Sequence, residues 1–243
     1  MLHKRVTDWQ DEAVQDQSDA EKILRNALND KEMGKLALVS SFGAESVVLL
    51  HMAAQIDRHI PVIFLDTEML FAETLEYQRR VAFNLGLTDL RVITPNRNDV
   101  LREDVDGLLH QADPNACCDL RKARPLAQAL DGFDGWITGR KRYQNGARAT
   151  LPFYQIDGSK MKINPLANWG SDDLRGYIEK HDLPRHPLVA QGYPSIGCRP
   201  CTTRVGAGED PRAGRWRGSE KTECGIHFEN GKIVRPQAGT MSI

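Results

Sequence analysis

A short apolar segment, residues 35–40, runs through the turn Ser40-Ser41-Phe42-Gly43-Ala44-Glu45-Ser46 directly into an apolar stretch of helical length, residues 47–54. That is a strand, a tight turn and a helix start, and the pattern recurs. Residues 60–65, 90–93 and 135–138 read as strands, and 73–85 and 120–130 as helices. Alternation of this kind predicts an α/β fold, a parallel sheet flanked by helices on both faces. Ligands of such sheets bind beyond the carboxyl ends of the strands, so the loops after Val39, Leu65 and Thr138 should line one site.

Outside this region the signals are weaker. Ser18 and Glu21 have the Ser-x-x-Glu spacing of a capping box, which predicts a first amphipathic helix carrying Ile23, Leu24 and Leu28. Beyond residue 157 a strand over 161–163 and a helix over 172–181 are expected, followed by a stretch rich in Pro, Gly and Arg. Residues 206–218 hold few apolar positions, which predicts an α/β domain over 1–205 and a mobile C-terminal tail over 206–243.

With 40% hydrophobic and 27% charged residues, a chain of 243 residues can bury a core without covalent staples. Its net charge of −1 gives no global pull toward nucleic acid, so a bound anion must be held by local clusters of Arg and Lys. No apolar run approaches the roughly 18 residues of a membrane helix, and Asp8, Asp11 and Glu12 do not suit a signal peptide. The expectation is a cytoplasmic protein. Five cysteines without an export signal point to metal or redox chemistry rather than a disulfide framework.

Four groups of residues could carry chemistry. The 40–46 turn would direct backbone N–H groups, serine hydroxyls and a helix N-terminus at an anion, although Ser and Gly are also ordinary turn residues. It lacks the Lys of a Walker A loop, which favours a nucleotide phosphate that is gripped and not transferred. Cys117-Cys118 and the Cys198-x-x-Cys201 loop supply four thiolates in two pairs, suited to an iron–sulfur cluster, a tetrahedral zinc or a redox disulfide. Adjacent cysteines favour the cluster, because it presents a separate iron to each. Cys224, beside His227 and after Arg212, Arg215 and Arg217, has surroundings that lower a thiol pKa and make a nucleophile. Arg121, Lys122 and Arg124 adjoin the cysteine pair, and Arg140, Lys141, Arg142 and Arg148 follow a strand end, where a sulfate or phosphate would need charge-assisted donors. The histidines at 51, 59, 110, 181 and 186 carry no such signal.

Taken together, Ser40-Ser41-Phe42-Gly43, Leu65-Asp66-Thr67, Cys117-Cys118-x-x-Arg121-Lys122, Thr138-Gly139, Cys198-x-x-Cys201 and Glu223-Cys224-Gly225-Ile226-His227 resemble the bacterial assimilatory adenylyl-sulfate reductases. These are similar to phosphoadenylyl-sulfate reductases and share the adenine nucleotide alpha-hydrolase-like fold. The resemblance implies a [4Fe-4S] cluster on Cys117, Cys118, Cys198 and Cys201, and Cys224 as the nucleophile that attacks the activated sulfur. It further implies phosphate and ribose contacts from Ser40, Ser41 and Gly43, a contact from Thr67, and adenine contacts from main chain near Leu65 and Gly139. Lys122, Arg148, Arg212 and Arg215 would meet sulfate or phosphate, with His227 near the nucleophile. Domain 1–205 would thus bind nucleotide and cluster, and 206–243 would carry the nucleophile. The implied reaction reduces adenylyl sulfate to sulfite and AMP, with thioredoxin or a similar dithiol as reductant, in sulfate assimilation and cysteine biosynthesis. Phosphoadenylyl-sulfate reduction is the alternative, and a cluster-containing tRNA thiolation enzyme or a zinc-stabilised binding module are more distant ones. No nucleic-acid or membrane partner is expected, and the oligomeric state, a homo-oligomer included, is left open. Two departures stand out: relatives often carry Gly where this chain has Glu68, and its segment between Arg215 and Cys224 is shorter.

Overall fold

The computed structural model describes residues 2–15, 19–144, 146–218, 221, 228–229 and 232–233. Helices α1 (Leu2–Gln15) and α2 (Ala20–Asn29) precede the sheet. Strand β1 (Leu36–Ser40) leads into α3 (Ser46–Ile56), β2 (Val62–Leu65) into α4 (Ala72–Leu85), and β3 (Leu90–Ile93) into α5 (Arg97–Glu103). Short helices α6 (Leu109–Ala112) and α7 (Pro114–Cys118) follow, and a π-helical turn, Asp119–Ala123, joins α7 to α8 (Arg124–Ala129). Strand β4 (Gly135–Thr138), the hairpin β5 (Tyr154–Asp157) and β6 (Lys160–Ile163), and α9 (Ser171–Lys180) complete the body. Near the C-terminus Phe228–Glu229 pairs antiparallel with Lys232–Ile233.

The six strands lie in the order β3-β2-β1-β4-β6-β5, parallel except for β5. Alternate residues of each central strand enter opposite cores, as a sheet covered on both faces requires. Leu36, Leu38, Val62 and Phe64 join the larger cluster with α2, α3 and α4, whereas Ala37, Ile63 and Trp136 meet Leu126 and Leu130 on the other face. The interior of this sheet has no polar register slip to correct, because a one-residue shift would exchange the two cores.

Four local expectations change. The first helix is α1, held by Val6 and Ala13 in the core and by Gln10 Oε1 accepting from Tyr154 N–H at 3.0 Å. Its apolar stripe is too narrow to show above a polar background. Helix α2 begins after Asp19, whose side chain makes no capping hydrogen bond, and Ser18 lies outside the described residues. The helical run expected from residue 120 starts at Pro114, where Asp113 accepts from Asn115 and Ala116 N–H and Pro sits in the first turn. Strand β5, missed in the sequence, makes the sheet mixed rather than parallel.

Stretch 206–218 is poor in apolar side chains, and polar contacts hold it. Val205 N–H donates to Gly192 O, Arg217 pairs with Glu209, and Thr202 and Arg215 form an isolated antiparallel bridge. Among the described residues no helix is long and apolar enough to cross a membrane.

Candidate active site

The chain leaves β1 for β2 on one side and later returns as β4 on the other. Connections diverge at that point and open a crevice beyond the strand ends. A cavity of about 420 Å³ occupies it. Ser40, Ser41 and Gly43 line it from the turn after β1, Leu65 and Thr67 from beyond β2, and Gly139 from beyond β4. Lys122, Arg148, Arg212 and Arg215 also reach it. The structure thus brings every described substrate-site candidate to one place.

The turn is set by an apolar anchor. Phe42 has a left-handed backbone, φ +47°, which costs a bulky residue on the order of 1–2 kcal/mol. Its fully buried ring, edge-on to Phe64 at 5.3 Å between centroids, offsets that cost. The Phe42 N–H donates to Ser40 Oγ (3.1 Å) and the Gly43 N–H to Ser46 Oγ (3.0 Å), so the turn and the start of α3 form one cradle. Ser46, the last residue of the turn marked out in the sequence, closes this cradle.

The cysteine pairs form the adjoining wall. Cys117, Cys118 and Cys198 are buried, and Cys201 is half-buried. Burial first, then Cys198, pushes the Cys117 thiol up to about 11, Arg121 opposes, and Cys201 adds a smaller upward push, so the two pairs lie near one another. Thr67 Oγ1 is hydrogen-bonded to Cys198 Sγ at 3.2 Å, which joins the nucleotide crevice to the cysteine loop. The π-helical turn directs neighbouring cations apart. Arg121 turns inward to Asp104 through Nε and Nη2 (3.0 and 2.8 Å) and to Thr67 O (3.0 Å), whereas Lys122 lines the cavity. Such turns are frequent at functional sites.

Glu68 explains its own departure. Its φ is +59°, the region that favours glycine, and its carboxylate lies 3.4 Å from Arg121. Because that carboxylate is 52% exposed, the ion pair returns little. Glu68→Gly should therefore raise stability by up to about 1 kcal/mol in chemical denaturation; a loss would show that the pair outweighs the backbone cost.

The segment bearing Arg212 and Arg215 lies on the cysteine loop. Trp216 N–H donates to Cys201 O (3.1 Å) and Thr203 N–H to Gly214 O (2.8 Å), and a Cβ on Gly214 would strike the Thr203 carbonyl. Trp216, buried with φ +49°, lines the cavity beneath the Arg215 guanidinium, 4.4 Å from its ring centroid. Among the described residues the Trp216 indole N–H and Arg215 Nε are buried donors without an acceptor. Such donors await an electron-rich group.

Among the described residues no three His, Cys, Asp or Glu side chains converge on a single ion position. A cluster that presents a separate iron to each thiolate does not need that convergence. Two neighbouring pairs of thiols, three of the four buried, with a cation and an unpartnered indole N–H close by, fit such a group.

Residues 35–204 match the phosphoadenosine phosphosulfate reductase domain. The chain belongs to the phosphoadenosine phosphosulfate reductase family. It is 50% identical over 207 residues to an adenosine 5'-phosphosulfate reductase of Mesorhizobium japonicum, covering 85% of this chain and 82% of that protein. A phosphoadenosine 5'-phosphosulfate reductase of Gloeobacter violaceus is 41% identical over 198 residues, 79% of this chain and 82% of that one. The crystal structure of phosphoadenylyl-sulfate reductase from Candida auris, in a phosphate complex, superposes with a TM-score of 0.70 at 25% identity, covering 82% of this chain and 97% of that chain. The reductase family's fold, like the sheet order found here, is that of adenine nucleotide alpha hydrolases.

Cys224 and His227, the expected nucleophile and its neighbour, lie outside the described residues. Lys221 is described; its Nζ donates to Pro114 O (3.0 Å) and Asn115 Oδ1 (2.8 Å), at the start of the cysteine-bearing helix α7. Sequence reasoning missed Glu45 and Lys162, which also line the cavity. Lys162 pairs with Asp157 at 2.9 Å and sits 5.0 Å from the Trp136 ring centroid, and burial, followed by the nearby Arg140, lowers it to about 8. An isolated Lys in a strand gives no sequence signal of such a position.

Proposed function

We propose that this chain reduces adenylyl sulfate to sulfite and AMP in the cytoplasm, with Cys224 as nucleophile. The observation that carries the reading is the single cavity at the strand crossover, where an anion cradle, a set of cations and the cysteine wall meet. The names of its 40–50% identical relatives support it. The Cys224 thiolate attacks the sulfur and the S–O bond to the phosphate breaks, leaving Cys224-S-SO₃⁻ and releasing AMP. A dithiol protein, thioredoxin or a similar one, then attacks Cys224 Sγ. Sulfite leaves with the bonding electron pair, and the second thiol resolves the mixed disulfide, so the dithiol supplies both electrons. Within this scheme Lys122, Arg148, Arg212 and Arg215 offset the repulsion between thiolate and sulfonyl group and stabilise the charge on the departing phosphate. Cys117, Cys118, Cys198 and Cys201 would hold a four-iron cluster, which would supply a fixed charge and field beside the sulfate end.

The test is incubation with sulfur-labelled adenylyl sulfate and mass measurement of the peptide containing Cys224. An added sulfonate is expected; an unmodified peptide alongside released AMP would sink the reading. Lys122→Ala should slow formation of that adduct far more than it weakens AMP binding, and equal losses would contradict its role. The Gloeobacter relative favours a second substrate, phosphoadenylyl sulfate. Comparing rates on the two nucleotides decides between them.

A further inference from the structure

A carboxylate stands in a cavity built for an anion. Glu45 lies between the phosphate-cradling turn and α3, and it lines the same cavity as Arg148 and Arg212. Left to itself it would repel a phosphosulfate. Its oxygens are instead occupied by the loop after β4: Lys141 Nζ donates to Oε2 at 2.6 Å, Tyr143 OH to Oε1 at 2.6 Å, and Gln144 Nε2 to Oε2 at 3.5 Å. The other end of the Gln144 amide, Oε1, accepts from Arg148 Nη1. The line Glu45–Gln144–Arg148 thus runs from the anion cradle to one of the cavity cations.

We infer that Glu45 is a positioning residue: its carboxylate fastens residues 141–144 to the start of α3 and thereby sets where Arg148 meets the phosphosulfate. The inference rests on the adenylyl-sulfate reading for its substrate. Charge explains why a carboxylate is needed there. The Lys141 ammonium is almost wholly buried, 4% exposed, and has Arg148 and Arg212 as neighbouring like charges. Without an anion beside it the ammonium would be a buried, unpaired charge pushed away from the arginines. Tyr143 faces Arg212 and Asp210 as well as Glu45, so the same fastening reaches the segment that brings Arg212 to the cavity. Glu45 thus neutralises the ammonium of Lys141.

The test is a double-mutant cycle on the full chain, read by AMP affinity and by the rate of adduct formation. Glu45→Gln and Arg148→Ala should each lose about tenfold, but in the Arg148→Ala background Glu45→Gln should cost no more than about twofold, since residues acting as a unit are not additive. Additive losses of about a hundredfold, or an Arg148→Ala variant that loses nothing, overturn the proposal. Tyr143→Phe removes one contact of the fastening without unpairing Lys141, which guards against a Glu45→Gln variant that fails to fold. It should give a smaller loss that also vanishes when Arg148 is absent; a loss that persists there overturns the proposal too. AMP affinity reports on the cavity whichever reaction it serves. An additive cycle therefore sinks the positioning role alone, whereas wild-type protein that takes up no sulfur label sinks the reductase reading alone.

Discussion

Replacing Cys224 by serine should lower sulfite formation by at least about 10⁴-fold, on the order of the losses seen when a covalent nucleophile is removed. A serine hydroxyl at neutral pH is neither ionised nor able to form the sulfur–sulfur bond that the dithiol must later attack. The loss should fall on adduct formation, with no labelled peptide at any time. Two other measurements should stay at wild-type values. AMP affinity depends on the cradle of Ser40, Ser41 and Gly43 and on the cavity cations, all supplied by other parts of the chain. Iron per chain should not change either, since in the proposed scheme the other four cysteines hold it. Cys117→Ser should give the opposite pattern, with iron lost and the proposed nucleophile retained. A Cys224→Ser protein that releases sulfite at the normal speed, or that loses its iron, would show that this thiol is not the attacking group.

Much of the site was legible because its parts lie at the ends of strands that the sequence marks clearly. Residues 36–39 and 62–65 are continuous apolar runs, as parallel strands with both faces covered tend to be, 135–138 is buried throughout, and the edge strand 90–93 is apolar but for Arg91. Three of them, β1, β2 and β4, run into residues that line the cavity, so finding those strands found Ser40, Leu65, Thr67 and Gly139 together. Less visible was whatever depends on contacts between distant segments. Glu45 reads as an ordinary polar residue at a helix start until Lys141, Tyr143 and Gln144 close on it from the loop after β4. Trp216 reads as a lone aromatic in a polar stretch, yet its backbone is tied to Cys201 and its ring is buried. Strand β5 went unseen because Tyr154–Asp157 mixes apolar and polar residues at a sheet edge. Only Glu68 announced a tertiary requirement, as a side chain where glycine was expected, and its positive φ gives the reason.

Asp104→Ala should destabilise the protein by about 3–5 kcal/mol, the usual cost of removing one member of a buried ion pair. Asp104 has no exposed side-chain surface, and Arg121 is 6% exposed. The carboxylate accepts from Arg121 through Oδ2 and from Leu109 N–H through Oδ1 at 2.8 Å, so alanine leaves a backbone donor unpaired and the buried cation with only the exposed Glu68 carboxylate at 3.4 Å as counter-charge. Asp104→Asn keeps an acceptor for only one of these two donors and loses the charge, so it should recover only part of the loss. Replacing the pair together, Asp104→Leu with Arg121→Met, removes both charges and should recover most of the loss, which separates the cost of unpairing from the worth of the pair. Denaturant unfolding measures all three. A second readout should not recover in the double variant. Arg121 follows Cys118 in the π-helical turn and donates to the Thr67 carbonyl, and the Thr67 hydroxyl is bonded to Cys198 Sγ. The line Asp104–Arg121–Thr67–Cys198 therefore joins the two cysteine pairs, which stand far apart in the chain. If it sets the spacing of the four thiols, the double variant will fold with near-normal stability and still bind less iron than wild type. Full iron content in that variant would mean that the cysteines find their places without it.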